Sequence, residues 1–410
     1  MNRKLLSMRM SVVLGSLLAL YSVAALMSTF SEAAAKVLRA RTSWLLEDEE
    51  SELRRVYEQM GEGNSAKEAI GRFSALLTRN PAAPDRWCDL GEALLESGEV
   101  EQARYCFSRA YEFGPHVVPV LMRIANFHFR LGEKSQAFEA MAQVLAQVPD
   151  YDAVIFSYYD RMGVDIRDIL DHGLPVDRRA AQSYFRYMLQ PDRLPDADKV
   201  WHWMASHSFA DQRLACDYAD FLLNNRAYEK AARTWAEFQG PRKGDYLESN
   251  YVYNGGFESE SAKCGLDWGI SDVPNVEVTR DSSVARSGQW SLRIRFQTEE
   301  NLNFSHVSQT AYVKPGAAHF RVFMKAAELS TDQGVGFHVF DAELPARLNI
   351  FTEPLTGTSD WRKIETAFVI PRDTRGIKIQ VVRRPSLKFD YKIRGTVWID
   401  AVSLQVDPRP

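Results

Sequence analysis

The sequence predicts a multidomain α + β protein with an apolar N-terminal segment, an α-solenoid and a C-terminal β-sandwich of jelly-roll type. Three observations predict it. Met10 to Ser31 is a run of 22 residues without charge. Pro81, Pro115 and Pro149 recur at a spacing of 34, as do Ala69, Ala103 and Ala137. Beyond residue 250 the hydrophobic period becomes 2. With 410 residues, 45% of them hydrophobic and 25% charged, the chain has a globular balance and length for about two to three domains. The net charge of −4 argues against a nucleic-acid partner, which would bring a basic excess.

The N-terminal element comes first. Arg3, Lys4 and Arg9 precede the uncharged run. A secretory core is about 7–15 residues and a spanning helix about 20, so the length favours an uncleaved signal anchor. "SEAAAK" at 31–36 offers small residues to a signal peptidase, so a cleaved signal peptide within 1–35 is the alternative. Lys36, Arg39 and Arg41 follow the span and weaken the positive-inside bias, while the acidic "EDEESE" at 47–52 favours a body outside the cytoplasm. The expected location is the cell envelope, anchored in the inner membrane through 10–31 and facing the periplasm, or secreted if cleavage occurs. Cys88, Cys106, Cys216 and Cys264 form no CxxC and no zinc spacing with histidine. They read as buried, inert thiols, with a Cys88–Cys106 bridge as the alternative in an oxidising compartment.

The solenoid is expected over 50–240. Phe73, Phe107 and Met141 join the register of 34. In the central copy Trp87, Leu90, Gly91 and Leu94 fall on one face of a first helix, and Ala103, Phe107 and Ala110 on one face of a second. Gly91 and Ala103 are small where two helices cross closely, "ESGE" at 96–99 is the turn, and Pro115 ends the second helix. With Pro115, these eight positions resemble the signature of the tetratricopeptide repeat. A degenerate copy starts near Arg213, with Ala219, Leu222, Ala231 and Trp235 in the matching places. The resemblance implies a concave surface that docks a protein partner. The carboxylate clamp known from such repeats would fall on Arg54, Cys88 and Met122, with Asn126 beside them, and those residues do not make one. "WHWM" at 201–204 is either helix core or a binding patch.

Residues 241–250, within "GPRKGDYLESN", read as a linker. The sandwich is expected over 251–408, with "YVYNGGFESE" at 251–260 as its first strand. "SLRIRF" (291–296), "HFRVFMKA" (319–326), "GFHVFDA" (336–342), "KIETAFVI" (363–370), "IKIQVV" (377–382) and "TVWIDAVSLQV" (396–406) alternate as half-buried strands. Trp361 and Trp398 sit in this alternation at positions expected to be core. "NGGFE", "ARSGQWSLRIRF", "VSQTAYVKPGAAHFRVFMKA", "DWRKIETAFVIP" and "GTVWIDAVSL" follow in that order. Together they resemble the carbohydrate-binding modules of the galactose-binding-like jelly-roll type.

That resemblance implies a structural calcium held by Glu258, by carbonyls near Ser287 and Gly288, and by Asp400. It also implies a sugar platform of aromatic rings with polar neighbours. The candidates are Trp268, which could equally be core, and Phe389 and Tyr391. Arg383 and Arg384 lie in the basic stretch 378–394, which also holds Lys378, Lys388, Lys392 and Arg394. That stretch is either a solvated face or a match for an anionic polysaccharide. No HExxH, GxSxG, phosphate-binding glycine loop or paired-carboxylate hydrolase scaffold is present, so catalysis is not expected. The expected function is a non-catalytic envelope protein in surface-polysaccharide assembly or export, with a protein on the solenoid and a glycan on the sandwich. A pure protein scaffold, or a subunit targeting a polysaccharide hydrolase, are the alternatives.

Overall fold

The computed structural model describes residues 66–298, 300–330, 332–388 and 391–407. The expected membrane segment, Arg54 and Phe389 lie outside the described residues. Among the described residues no helix is long and apolar enough to cross a membrane. The described residues divide into two compact units that part between 151 and 152, with 171–175 joining the first.

The first unit is built from α1 (Ala66–Arg79), α2 (Pro84–Glu96), α3 (Val100–Phe113), α4 (Val118–Arg130) and α5 (Lys134–Gln147). Pro84 opens α2 and Pro119 lies in the first turn of α4, where a missing N–H costs nothing. The α2–α3 and α4–α5 turns are one device used twice, 34 residues apart. Gly98 and Gly132 take positive φ (81° and 76°), and the amides of Glu99 and Glu133 donate to Leu94 O and His128 O, each at 2.9 Å. The register also shows in the packing. A Cβ on Gly91 would stand 2.9 Å from the Phe107 ring, and Phe107 stacks on Phe127 at 4.3 Å. Leu90, Leu94, Ala103, Phe107 and Ala110 are buried, while Trp87 and Pro115 are half-buried. Cys88 is fully buried, so the clamp position it was matched to offers nothing to a ligand.

The second unit contains α6 (Asp152–Arg161), α7 (Arg178–Met188), α8 (Leu194–Ser206), α9 (Gln212–Asn224) and α10 (Tyr228–Gln239), followed by the sandwich. The helix-closing turn recurs here at Gly163 (φ 59°), and twice without glycine. Ser208 and Arg226 take positive φ (57° and 59°), and the next amides donate to Met204 O at 2.9 Å and Leu222 O at 2.8 Å. In "WHWM", Trp201 and Met204 are buried. The stretch expected as a linker holds a 3-10 turn, Gly240–Lys243, and the fully buried Tyr246.

Among the described residues ten antiparallel strands form two five-stranded sheets. The strands are β1 (Gly269–Ile270), β2 (Val276–Asp281), β3 (Ser291–Gln297), β4 (Phe304–Tyr312), β5 (Gly316–Leu329), β6 (Gly336–Asp341), β7 (Asn349–Phe351), β8 (Gly357–Ile370), β9 (Gly376–Arg383) and β10 (Arg394–Val406). The first sheet runs β1–β4–β9–β6–β7 and the second β2–β3–β10–β5–β8. Phe296, Phe320, Phe337, Ile379, Val397 and Ile399 lie in the core between them. Five of the six alternating segments fall wholly within strands, and "GFHVFDA" overruns β6 by Ala342.

Tyr251–Glu260 does not form the expected strand. Asn254 and Phe257 take positive φ (50° and 57°), which breaks an extended run. The segment instead lies against the irregular part of β10, with Tyr251 N donating to Leu404 O and Val402 N to Gly255 O, each at 2.9 Å. Helices α9 and α10 pack directly on the sandwich. Asp220 accepts from Gly265 N at 2.7 Å, Trp235 meets Tyr253 edge-on at 5.6 Å, and the Tyr228 ring fills the space where Gly376 lacks a side chain.

Candidate functional site

Alternation on the first sheet sends Val307, Ile379, Val381, Phe337 and Val339 into the core. The intervening residues form an outer face. Register aligns Ser308, Gln380, His338 and Phe351 in one row across β4, β9, β6 and β7. Thr310, Lys378, Phe340 and Asn349 form the next.

The rings on this face are stacked. His338 lies 4.0 Å from Phe351 at an interplanar angle of 6°, and 4.3 Å from Phe340 at 26°. The Arg384 guanidinium covers the Phe351 ring at 5.1 Å. His338 Nε2 meets Asn349 Oδ1 at 2.7 Å. Burial lowers the His338 pKa, opposed by Asn349, which favours the neutral imidazole. Phe351 is 43% exposed, so an apolar ring edge remains for a ligand. Among the described residues, neither Lys378 nor Arg384 makes an ion pair, so the face carries uncompensated positive charge beside aromatic rings. Gln380 Nε2 donates to Ser305 O at 2.7 Å, fixing a polar floor between them.

The anticipated glycan residues separate. Arg384 is on this face. Trp268 is not, because it is fully buried, packs on Phe257 at 5.2 Å and donates its indole N–H to Asn254 O at 3.1 Å. Arg383 is also fully buried. Its guanidinium donates to Leu302 O, to Asn301 Oδ1 at 3.1 Å and to Tyr391 O at 2.6 Å, which ties loop ends together. Burial lowers its pKa. Tyr391 is 36% exposed and serves the fold through that carbonyl. Trp361 and Trp398 are half-buried rather than core. Trp398 stands opposite Lys325 on the second sheet and donates to Asp281 Oδ2 at 2.9 Å. His338, Phe340, Asn349 and Phe351 were missed, although the alternation of "GFHVFDA" already puts His338 and Phe340 opposite the core residues.

Glu258 and Asp400, distant in sequence, meet at the turn 286–290. Asp400 Oδ2 accepts from the amides of Arg286 (2.7 Å) and Ser287 (2.9 Å), and Oδ1 from Ala401 (2.6 Å). Glu258 accepts from Gln289 N (2.9 Å) and Trp290 N (3.2 Å). Burial holds the Asp400 carboxyl above the usual aspartate range; the three amides oppose this and the Glu258 charge adds to it. The turn thus presents N–H groups to both carboxylates, which pins it to the first and last segments of the sandwich. Among the described residues no group of three or more His, Cys, Asp or Glu side chains is placed to hold an ion. Gly288 has φ +64° and no space for a Cβ, which would fall 2.1 Å from Glu258 Oε1. Gly288→Ala is therefore expected to cost about 2–4 kcal/mol, read from the thermal melt of the full chain; an unchanged melt would contradict the close approach.

In the first unit, a groove of about 300 Å³ is lined by Arg104, Tyr111, Phe127, His128, Glu139 and Gln143, among others. Arg104 binds Glu133 through two nitrogens (2.7 and 3.0 Å), and His128 reaches the same carboxylate at 2.7 Å. Together they pull Glu133 down to about 2.

No family model matches the chain. It is 21% identical over 234 residues to human General transcription factor 3C polypeptide 3, covering 56% of this chain. The chain spans 23% of that relative's length. Among solved structures, it is similar to a family 61 carbohydrate-binding module in complex with β-1,4-galactotriose (22% identity, 38% of this chain, 99% of that chain, TM-score 0.28). It is also similar to a family 4 carbohydrate-binding module (14% identity, 38% and 99%, TM-score 0.29). A xylan-binding domain of module family 22 is a third (16% identity, 39% and 96%, TM-score 0.27).

Proposed function

We propose that this chain is a non-catalytic binding protein whose sandwich holds an acidic glycan on the outer face of the β1–β4–β9–β6–β7 sheet. The observation that carries the reading is the ring ladder Phe340–His338–Phe351 beside Lys378 and Arg384, cations that make no ion pair among the described residues. Aromatic carbon matches the apolar faces of pyranose rings, the row of Ser308, Gln380 and Asn349 supplies hydrogen bonds, and the cations select carboxylate or sulfate groups. The helices of the first unit, whose 34-residue register resembles tetratricopeptide repeats, would dock a protein partner in the Arg104–Tyr111–Gln143 groove. Such a pairing suits surface-polysaccharide assembly or export in the cell envelope.

The test is affinity electrophoresis of the full chain in gels containing neutral or acidic polysaccharides. Retention is expected only in acidic gels, weakening with salt. Phe351→Ala should weaken it roughly tenfold, the equivalent of about 1.4 kcal/mol of lost contact. Lys378→Ala should remove part of the salt dependence. Absence of retention by any glycan would leave the pure protein scaffold as the better reading. A structural calcium at Glu258 and Asp400 predicts a higher melting temperature with calcium than with a chelator, and loss of that difference in Glu258→Gln.

A further inference from the structure

Helix α9 and the 262–265 loop leading into β1 touch along one helix face. Cys216, Asp220 and Leu223, spaced by four and three, lie on that face. Cys216 Sγ is 3.8 Å from Ala262 O, and Asp220 Oδ1 accepts from Gly265 N at 2.7 Å. The backbone comes so close that a Cβ on Gly265 would stand 2.6 Å from Leu223 Cδ1. Cys264 sits between those two anchor points. Lys263 before it takes positive φ (58°), and Cys216, whose Sγ meets the carbonyl two residues before Cys264, is the neighbour that most raises the Cys264 pKa. Both cysteines are buried, at 8% and 4% exposure, and both are reduced here.

We propose that Cys216 and Cys264 are a disulfide-forming pair that bridges α9 covalently to the loop leading into the sandwich. Each thiol gives up its hydrogen, an Sγ–Sγ bond forms, and two electrons and two protons pass to the oxidant. The oxidant is a small-molecule disulfide of the glutathione class. It reacts by exchange through a mixed disulfide, and its own S–S bond ends as two thiols. The neighbouring thiol and burial both push Cys264 above the ordinary thiol range, so little thiolate is present at neutral pH and the exchange is slow. Formation during folding, or at raised pH, is correspondingly faster. The bridge closes a loop of roughly 50 residues and so restricts the unfolded chain. Cys88 and Cys106 serve as internal controls; burial pushes them up to about 12 and about 11.

The experiment uses the reduced full chain incubated with glutathione disulfide at mildly alkaline pH, then denatured in an alkylating agent and digested with trypsin. The expected product links the peptide 214–226 to the peptide 264–280, with Cys88 and Cys106 alkylated. The oxidised protein should melt roughly 5–10 °C higher than the reduced form, and Cys216→Ser should show no such rise. Full alkylation of Cys216 and Cys264 after oxidation, or linkage of either to Cys88 or Cys106, would overturn the pairing. The wild-type digest decides this even if the serine variant does not fold.

Discussion

Trp268→Ala is expected to destabilise the sandwich by about 3–5 kcal/mol, enough to unfold a marginal domain near body temperature. The indole is fully buried against Phe257, and its N–H satisfies Asn254 O. Its amide is held by Asp267 Oδ1 at 2.8 Å, and its carbonyl accepts from Ser261 Oγ at 2.5 Å. Truncation leaves a large cavity and strands a buried carbonyl in a segment already bent at Asn254 and Phe257. Trp268→Phe keeps most of the volume and should cost less. Calorimetry of both variants checks this ranking. Glycan retention supplies the second readout: Trp268→Phe should bind like the wild type. Lost retention with an unchanged melt would return Trp268 to the binding surface.

Asp341→Ala should cost about 3–4 kcal/mol and abolish glycan retention together with it. The carboxylate is 1% exposed at the end of β6. It accepts from Thr374 Oγ1 (2.5 Å), Glu343 N (2.8 Å) and Leu344 N (2.9 Å), and pairs with Arg347 at 2.9 Å. Removing one partner of such a network leaves an unpaired charge and orphaned donors. This turn also sets β7, so Asn349 and Phe351 lose their place with it. Burial works to raise the Asp341 pKa, but Thr374, the two amides and Arg347 outweigh it and the net shift is downward. A depressed native pKa means that the contribution is complete above the unfolded aspartate value, about 3.9, and is lost as pH falls through the native value. The stability gap between wild type and Asp341→Asn should therefore narrow below about pH 4 and stay constant from pH 5 to 7. A gap that widens on acidification would contradict the sign.

The helical and β regions were legible because periodicity is a local signal. The 34-residue register faded after residue 151, and Ser208 and Arg226 show a physical reason. They close helices in the left-handed conformation that Gly98 and Gly132 adopt, so the geometry persists where its sequence marker does not. The segment 251–260 misled because its alternation is cancelled by left-handed Asn254 and Phe257. The basic stretch 378–394 divides differently. A linear run of charge averages residues with opposite fates: Arg383 points inward to carbonyls, Lys388 lies 3.5 Å from Asp332, and Lys378 and Arg384 stay on the outer face. The ring ladder depends on β6–β7 and β6–β9 register, which no single segment encodes.

The seating of α9 and α10 on the sandwich limits how portable this β module can be. Cutting the chain at residue 250 would bare the hollow over Gly376 that Tyr228 fills, strip Gly265 N of Asp220, and leave Glu343 without Arg226, 3.8 Å away. Such a fragment would expose a surface that the helices cover and is expected to aggregate more readily than the intact protein. Recombination that transplants this sugar-binding candidate into another protein would have to carry two helices along with it, as a grafted shoot carries its own section of stem.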